Sequence, residues 1–430
     1  MRAPGQMSDC PAPLTHRNRV ARLAPFSPSM NATQRTALIQ RIEAELKGNI
    51  LPFWIKHVVD RERGGFYGEI SHDLVVDRAA DRGALLTSRI LWTYASAYRH
   101  YRDPAHLEMA RWAYADLVKT HWDSEFGGLF WSVTADGRPK ATRKQIYGLA
   151  FGTYAMSELH RATGEQEPLE RAITLYRLIE QHSRDRRHGG YFEACKRDWS
   201  LEQDVRLSAI DLNEPKSQNT HLHVMEGYTN LLRVWPDPEL RSAQAELLEV
   251  MLTRILDPGT HHLGLFFNET WELRYPRISY GHDIEAAWLL TEAAEVVGDP
   301  ALLARVRKAA VDIAETTLRE AIDSDGALLY EGDAKGVILT HKEWWPQAEA
   351  AVGFLNAYQI SGDERFLTTA VGLWDFCENH LVDRKGGEWL RCVTRDRVPC
   401  TEHPKVSFWK CPYHNGRTCM ELADRLRAMS

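Results

Sequence analysis

The chain has 430 residues, 44% of them apolar and 26% charged, the composition of a globular protein that buries a large core rather than of a disordered or fibrous one. Its formal net charge of -6 comes from Lys and Arg interspersed with Asp and Glu, which argues against a nucleic-acid surface and for a small neutral partner. No stretch is apolar for long enough to span a bilayer, and the seven cysteines include no C-x-x-C pair, so the expectation is reduced thiols in a cytoplasmic protein without membrane contact.

Residues 1–30, with Pro and Arg throughout, read as a loose N-terminal tail, and residues 31–430 as one catalytic domain. Within that domain one unit recurs. An aspartate followed by a Gly-containing apolar or aromatic run stands at DRERGGFYGEI from Asp60, DSEFGGLFWSV from Asp123, DRRHGGYFEAC from Asp185, DPGTHHLGLFF from Asp257, DSDGALLYEG from Asp323 and DRKGGEWLRCV from Asp383. The period of about 60 to 70 residues suits two helices and an extended connection. Between these runs, helical stretches are separated by tight turns at YRDPAHL, TGEQEPL, WPDPELR, VGDPALL and SGDERFL. The acidic residue before each new helix is a suitable N-cap or first-turn residue, and Pro at the first helical position gives up no needed N–H. One helix pair cannot cover its own apolar face, so the units must stack. Six of them predict the all-α class and an (α/α)6 barrel, a toroid of helical hairpins joined by short β-hairpin-like connectors.

The acidic turn residues Asp103, Glu165, Asp237, Asp299 and Asp363 serve as a ruler. Fourteen residues before them stand Arg89, Phe151, His223, Glu285 and Glu349, and eighteen before stand Leu85, Tyr147, Asn219, Gly281 (followed by His282) and Trp345. Four residues apart on a helix is one face, displaced by a turn. The first two turns of successive inner helices therefore carry polar and aromatic residues where periodicity alone predicts core, and these should converge on one mouth of the toroid. The sixth inner helix has no turn after it; FWKCPYHNGRTCMELADRL holds Trp409 and His414 near its start, and Arg417 either faces the same cavity or pairs at the surface.

A lone helical histidine is more often a hydrogen-bonded core residue than a catalyst. Three of them with an arginine and two carboxylates at equivalent turns are another matter, because unpartnered buried polar groups are destabilising. Histidine titrates near neutrality and suits acid/base work. A carboxylate one turn away, as Glu285 is from His282, would orient an imidazole. Arginine stabilises an oxyanion as a carbon-bound proton leaves. Aromatic faces pack on sugar rings, and carboxylates such as Glu349 bind hydroxyls. The set suits proton abstraction beside a carbonyl, with no cofactor and no metal expected. His221 and His223, two apart on a helix, point to opposite sides and should not share an ion. Glycoside hydrolysis by Glu285 and Glu349 is the competing chemistry, although it leaves the histidines unused.

The segments NEPKSQNTHLHVMEGYTNLLRVWPDPEL, ISYGHDIEAAWLL, WWPQAEAAVGFLNAYQ and FWKCPYHNGR resemble the cellobiose 2-epimerases of the N-acylglucosamine 2-epimerase superfamily, from about Ile42 to the C-terminus. They are less similar to the N-acylglucosamine 2-epimerases and mannose isomerases of that superfamily, which stand as alternatives. The resemblance implies the six-hairpin barrel, a β-1,4-linked disaccharide as substrate, and C2 epimerisation of its reducing-end sugar through a cis-enediolate, with some aldose–ketose isomerisation. It further implies that His282 and His414 are the acid/base pair and that His223 contacts the reacting sugar. Arg89 would hold the enediolate oxygens, and Tyr147, Asn219, Glu285, Tyr330, Trp345 and Trp409 would contact sugar. Leu149 departs from the polar residue often found in relatives. No partner beyond the disaccharide is expected, and the assembly is expected to be a monomer, with a homodimer the alternative.

Overall fold

A computed structural model describes residues 30–429, so the expectation for the N-terminal tail falls outside the described residues apart from Met30. Helices alternate between an inner and an outer layer. The inner helices are α3 (Ala84–Tyr101), α5 (Ile146–Thr163), α7 (Gln218–Val234), α9 (Tyr280–Val297), α11 (Trp344–Ser361) and α13 (Tyr413–Ala428). The outer layer holds α1 (Ala32–Glu45), its continuation α2 (Leu51–His57), α4 (Pro104–Asp116), α6 (Gln166–His182), α8 (Pro238–Val250), α10 (Pro300–Ala321) and α12 (Glu364–Phe376). Each inner helix packs on the next, and α13 touches both α11 and α3, so the inner ring is closed. The first five hairpins are continuous in sequence, from α3–α4 to α11–α12. The sixth is assembled from the two ends of the chain, with α13 packed on α1. No described helix is long and apolar enough to cross a membrane.

The turns follow the expected capping chemistry. Asp103, Asp237, Asp299 and Asp363 accept N–H groups of the first turns of α4, α8, α10 and α12, and Pro104, Pro238 and Pro300 open three of those helices. Glu165 is the exception: it makes no cap with its side chain and pairs with Arg111 instead. Gly164, Gly298 and Gly362 end α5, α9 and α11 in the left-handed region.

Short antiparallel ladders stitch one end of the ring. The two residues that enter each of the first five inner helices pair with the connector of the following unit: Arg82–Gly83 with Ser132–Val133, Lys144–Gln145 with Ala194–Cys195, Lys216–Ser217 with Phe266–Phe267, Ile278–Ser279 with Glu331–Gly332, and Lys342–Glu343 with Cys392–Val393. A bridge between Ile70 and Val406 joins last unit to first. The recurring aspartate explains itself here. Asp60 pairs with Arg82 at 2.5 Å, Asp123 with Lys144 at 2.8 Å, Asp185 with Lys216 at 2.7 Å, Asp323 with Lys342 at 3.1 Å and Asp383 with Lys405 at 2.7 Å, each cation at most 5% exposed. In the fourth unit Ile278 replaces the cation, and Asp257 accepts backbone N–H groups of its own turn. Buried pairs of this kind hold geometry more than they add net stability.

Candidate active site

Counting seven residues forward from the first residue of each helix-entering pair gives Arg89, Phe151, His223, Glu285 and Glu349 again; from Lys410 it gives Arg417. The structure closes this ring. Arg417 is 1% exposed and lies at the centre, not at the surface. Its Nη2 donates to Glu285 at 2.8 Å and to Glu349 at 2.7 Å, its Nη1 donates to Glu226, and its guanidinium lies over the rings of Tyr413 and Trp288. One cation thus binds carboxylates from three helices. Glu226, Tyr413 and Trp288 escaped the ruler because they lie off its two positions, one of them three residues after His223.

These carboxylates orient two of the three histidines. His414 Nδ1 is 2.6 Å from Glu349 Oε1 and 4.0 Å from Glu285 Oε1. His223 Nδ1 is 2.8 Å from Glu226 Oε2. The partner expected for His282 is corrected: its Nδ1 meets Ser279 Oγ at 2.7 Å, because the serine lies one turn back and Arg417 captures Glu285. A donor at Nδ1 leaves Nε2 with its lone pair free. His221 does point the other way, with Nδ1 on the Ser217 carbonyl and Nε2 accepting the Tyr191 N–H, a structural role.

The aromatic and remaining polar residues fill in around them. Arg89 donates to the Tyr147 hydroxyl at 2.7 Å and lies over Phe151 and Tyr413. Tyr147 meets His223 edge-on at 5.0 Å and Trp409 at 6.1 Å between ring centres. Trp345 lies 4.7 Å from His282 and 5.7 Å from His414, with Tyr330 at 6.4 Å on its flank. Gly281 allows that approach, since a Cβ there would come within 2.6 Å of the Trp345 ring. Asn219, one turn before His223, keeps a buried Oδ1 with no hydrogen-bond partner among the described residues. Leu149 is buried in the core.

Burial dominates the electrostatics. It pushes His414 well below the usual imidazole value, helped by Arg89 and Arg417, and pushes His282 down to about 3, helped by His223. His223 is lowered by burial too, against the pull of Glu226. Burial and neighbouring Glu349 drive Glu285 well above the carboxylate range, and burial raises Glu349 against the pull of Arg417. Glu226, which burial alone would raise, is held at about 2 by Arg417 and His223. The imidazoles are therefore neutral bases at pH 7, beside carboxyls that can hold a proton.

Glu285, Glu349 and His414 also bring ligand atoms within 4.8 Å of one another, the spacing of a metal triad. Arg417 Nη2 binds both glutamates of that group, so a guanidinium already supplies the local positive charge. Sharing one nitrogen also places the two carboxylates side by side, whereas hydrolysis needs them on opposite sides of a glycosidic bond.

Residues 65–414 match the family described as N-acylglucosamine 2-epimerase (GlcNAc 2-epimerase). The chain is 45% identical over 386 residues to a cellobiose 2-epimerase of Bacteroides fragilis, covering 90% of this chain and 98% of that one. The solved cellobiose 2-epimerase of Spirochaeta thermophila DSM 6192 superposes with a TM-score of 0.87 at 40% identity, covering 93% of this chain and 99% of the other. The N-acylglucosamine 2-epimerase of Mus musculus is more distant, at 26% identity over 404 residues.

Proposed function

The chain belongs to the N-acylglucosamine 2-epimerase family, within its cellobiose 2-epimerases, and on that premise we propose how its residues 31–430, as one catalytic domain, carry out the reaction. The activity is epimerisation at C2 of the reducing-end sugar of a β-1,4-linked disaccharide. The sugar ring opens to the free aldehyde. One imidazole of the pair His282 and His414 takes the C2 proton through Nε2. The C–H electrons form the C1–C2 double bond, and negative charge moves to the C1 oxygen. Arg89 faces that developing charge in the cis-enediolate. The other imidazole, protonated once the substrate is bound, returns that proton to the opposite face of C2, the double-bond electrons form the new C–H bond, and the carbonyl is restored. A proton exchange with solvent resets the pair, so the product carries solvent hydrogen at C2.

The observation that carries this reading is the placement of His282 and His414. They come from different helices, each is anchored through Nδ1 by its own partner, and both approach one tryptophan ring. Burial keeps both unprotonated at neutral pH in the free enzyme, and the two carboxylate oxygens beside His414 support its imidazolium when it gains a proton. His223 and Tyr147, in ring contact with each other, serve as contacts for the reacting sugar, with Asn219, Trp345, Trp409 and Tyr330 as further sugar contacts. Glu285 and Glu349 serve through Arg417 and His414. The six described cysteines are free and buried, which supports a reducing, cytoplasmic setting. Proton NMR of cellobiose and of lactose in heavy water tests the reading: the C2 epimer should appear with deuterium at C2, and the absence of both from active-concentration enzyme would refute it.

A further inference from the structure

The second glycine of the recurring D-x-x-x-G-G run adopts a left-handed backbone, at φ 68° in Gly65, 75° in Gly128 and 76° in Gly190. In two of these units a side chain has no room. A Cβ would collide with the Asp116 carboxylate at Gly65, and would come within 2.5 Å of His221 and 2.6 Å of Trp271 at Gly190. The sixth unit keeps the turn, with the Asp383 N–H bonded to the Glu388 carbonyl as Asp185 is to Gly190. Yet it places glutamate there, at φ 62° and 0% exposed. A branched-off side chain in that region is disfavoured and persists only where its surroundings over-determine it.

The surroundings do so. The Glu388 N–H donates to Asn49 Oδ1 at 2.8 Å. Its carboxylate accepts from Lys410 Nζ at 2.6 Å, from the Trp389 N–H at 3.0 Å and from Asn415 Nδ2 at 2.8 and 3.0 Å. Lys410 and Asn415 bracket His414. Asn415 also stands where other units place His221, Asp283 and Gln347, side chains that themselves accept the connector N–H at Tyr191, Leu263 and Leu328. In the sixth unit Glu388 takes over that N–H and grips the asparagine as well. The same unit differs in another way: Lys405 makes the usual pair with the connector aspartate, five residues before Lys410, and the added segment carries Trp409.

We infer that Glu388 is a positioning residue for epimerisation: by binding Asn415 from a strained turn, with Lys410 balancing its charge, it fixes the start of α13 and so the Nε2 direction of His414. This rests on His414 acting at C2. Two charge-balanced variants separate positioning from packing. Glu388→Gly with Lys410→Met suits the left-handed backbone and removes cation and anion together, but lets Asn415 go. Glu388→Gln with Lys410→Met retains an acceptor for Asn415. Lactose turnover should fall at least tenfold in kcat for the glycine variant, with KM within threefold, while the glutamine variant stays within threefold of the parent. The acid limb of kcat should rise toward the ordinary imidazole value in the glycine variant as the ring loosens and hydrates. Asn415→Ala, which cuts the same contact from the other side, should show the same fall in kcat. Parent-like kcat and acid limb in Asn415→Ala, or equal kcat in both double variants, overturns the inference. A glycine variant that does not fold leaves the Asn415→Ala result to decide. The parent enzyme assayed alongside in heavy water guards the premise: no exchange at C2 by the parent refutes the proposed reaction and not the role of Glu388.

Discussion

Two systems of buried charge occur in this molecule, and they are built on opposite plans. Around the rim, each connector cation meets an aspartate, and backbone groups complete the shell; Lys216 binds Asp185 and two carbonyls within 2.9 Å. Asp123, Asp185, Asp323 and Asp383 are held below their ordinary value, Asp185 by Lys216 and by N–H groups of its own turn once burial is overcome. At the centre, one arginine serves three glutamates and no repeat copies another. There the carboxyls split, Glu226 down to about 2 and Glu285 far up. Matched pairs have nothing left to exchange. An unmatched cluster stores protons next to imidazoles, which is what acid/base chemistry requires.

The sharpest way to break the contrast is Arg417→Met. It leaves three buried carboxylates without their cation, so it should reduce kcat for lactose on the order of 10³-fold and lower unfolding free energy by about 3–5 kcal/mol, read by NMR turnover and by denaturant unfolding. Lys216→Met at the rim should also cost about 3 kcal/mol, because Asp185 loses its cation. Adding Asp185→Asn, whose Oδ1 still accepts the Arg187 and His188 N–H groups, should recover most of that loss. Both rim proteins should keep kcat within about twofold once folded. A rim change that abolished turnover of folded protein would erase the distinction.

The two systems also respond oppositely to pH. Asp185 is depressed below 3.8, so the stability it contributes is present above that value and lost as pH falls through its folded pKa. Glu285 is raised above 4.5, so its contribution is present below 4.5 and lost as pH rises through its folded pKa. His282, depressed from 6.5 to about 3, remains a base well below neutrality. The acid limb of kcat/KM should therefore lie below pH 6.5; a limb at or above that value would contradict the burial of the pair. The smallest expected effect is that of Tyr147→Phe, which removes the hydroxyl partner of Arg89 and should lower kcat/KM by about tenfold with little change in melting temperature.

Much of this was legible beforehand because a repeat carries its own ruler. Arg89, His223, Glu285 and Glu349 fell on one helical position and the structure gathers them there. Arg417 did not, since the last inner helix has no turn behind it; the signal was Lys410, seven residues earlier, masked by the competing Lys405. Glu226 looked like any mid-helix acid, and its role appears only when α7 and α13 are packed together. The expected Glu285–His282 pair failed for a similar reason: spacing along one helix cannot register a rival on another, and Arg417 is that rival.

What the order of residues alone settled is therefore the unit, its number, its caps and the face each inner helix turns inward, all consequences of local backbone chemistry and periodicity. Which chain end completes the sixth hairpin, which carboxylate serves which histidine, and why a glutamate occupies a glycine's place beside His414 depended on the closed ring. Those choices are made between groups on different elements, as between Glu226 and Arg417, by burial and charge that do not exist until the helices enclose them.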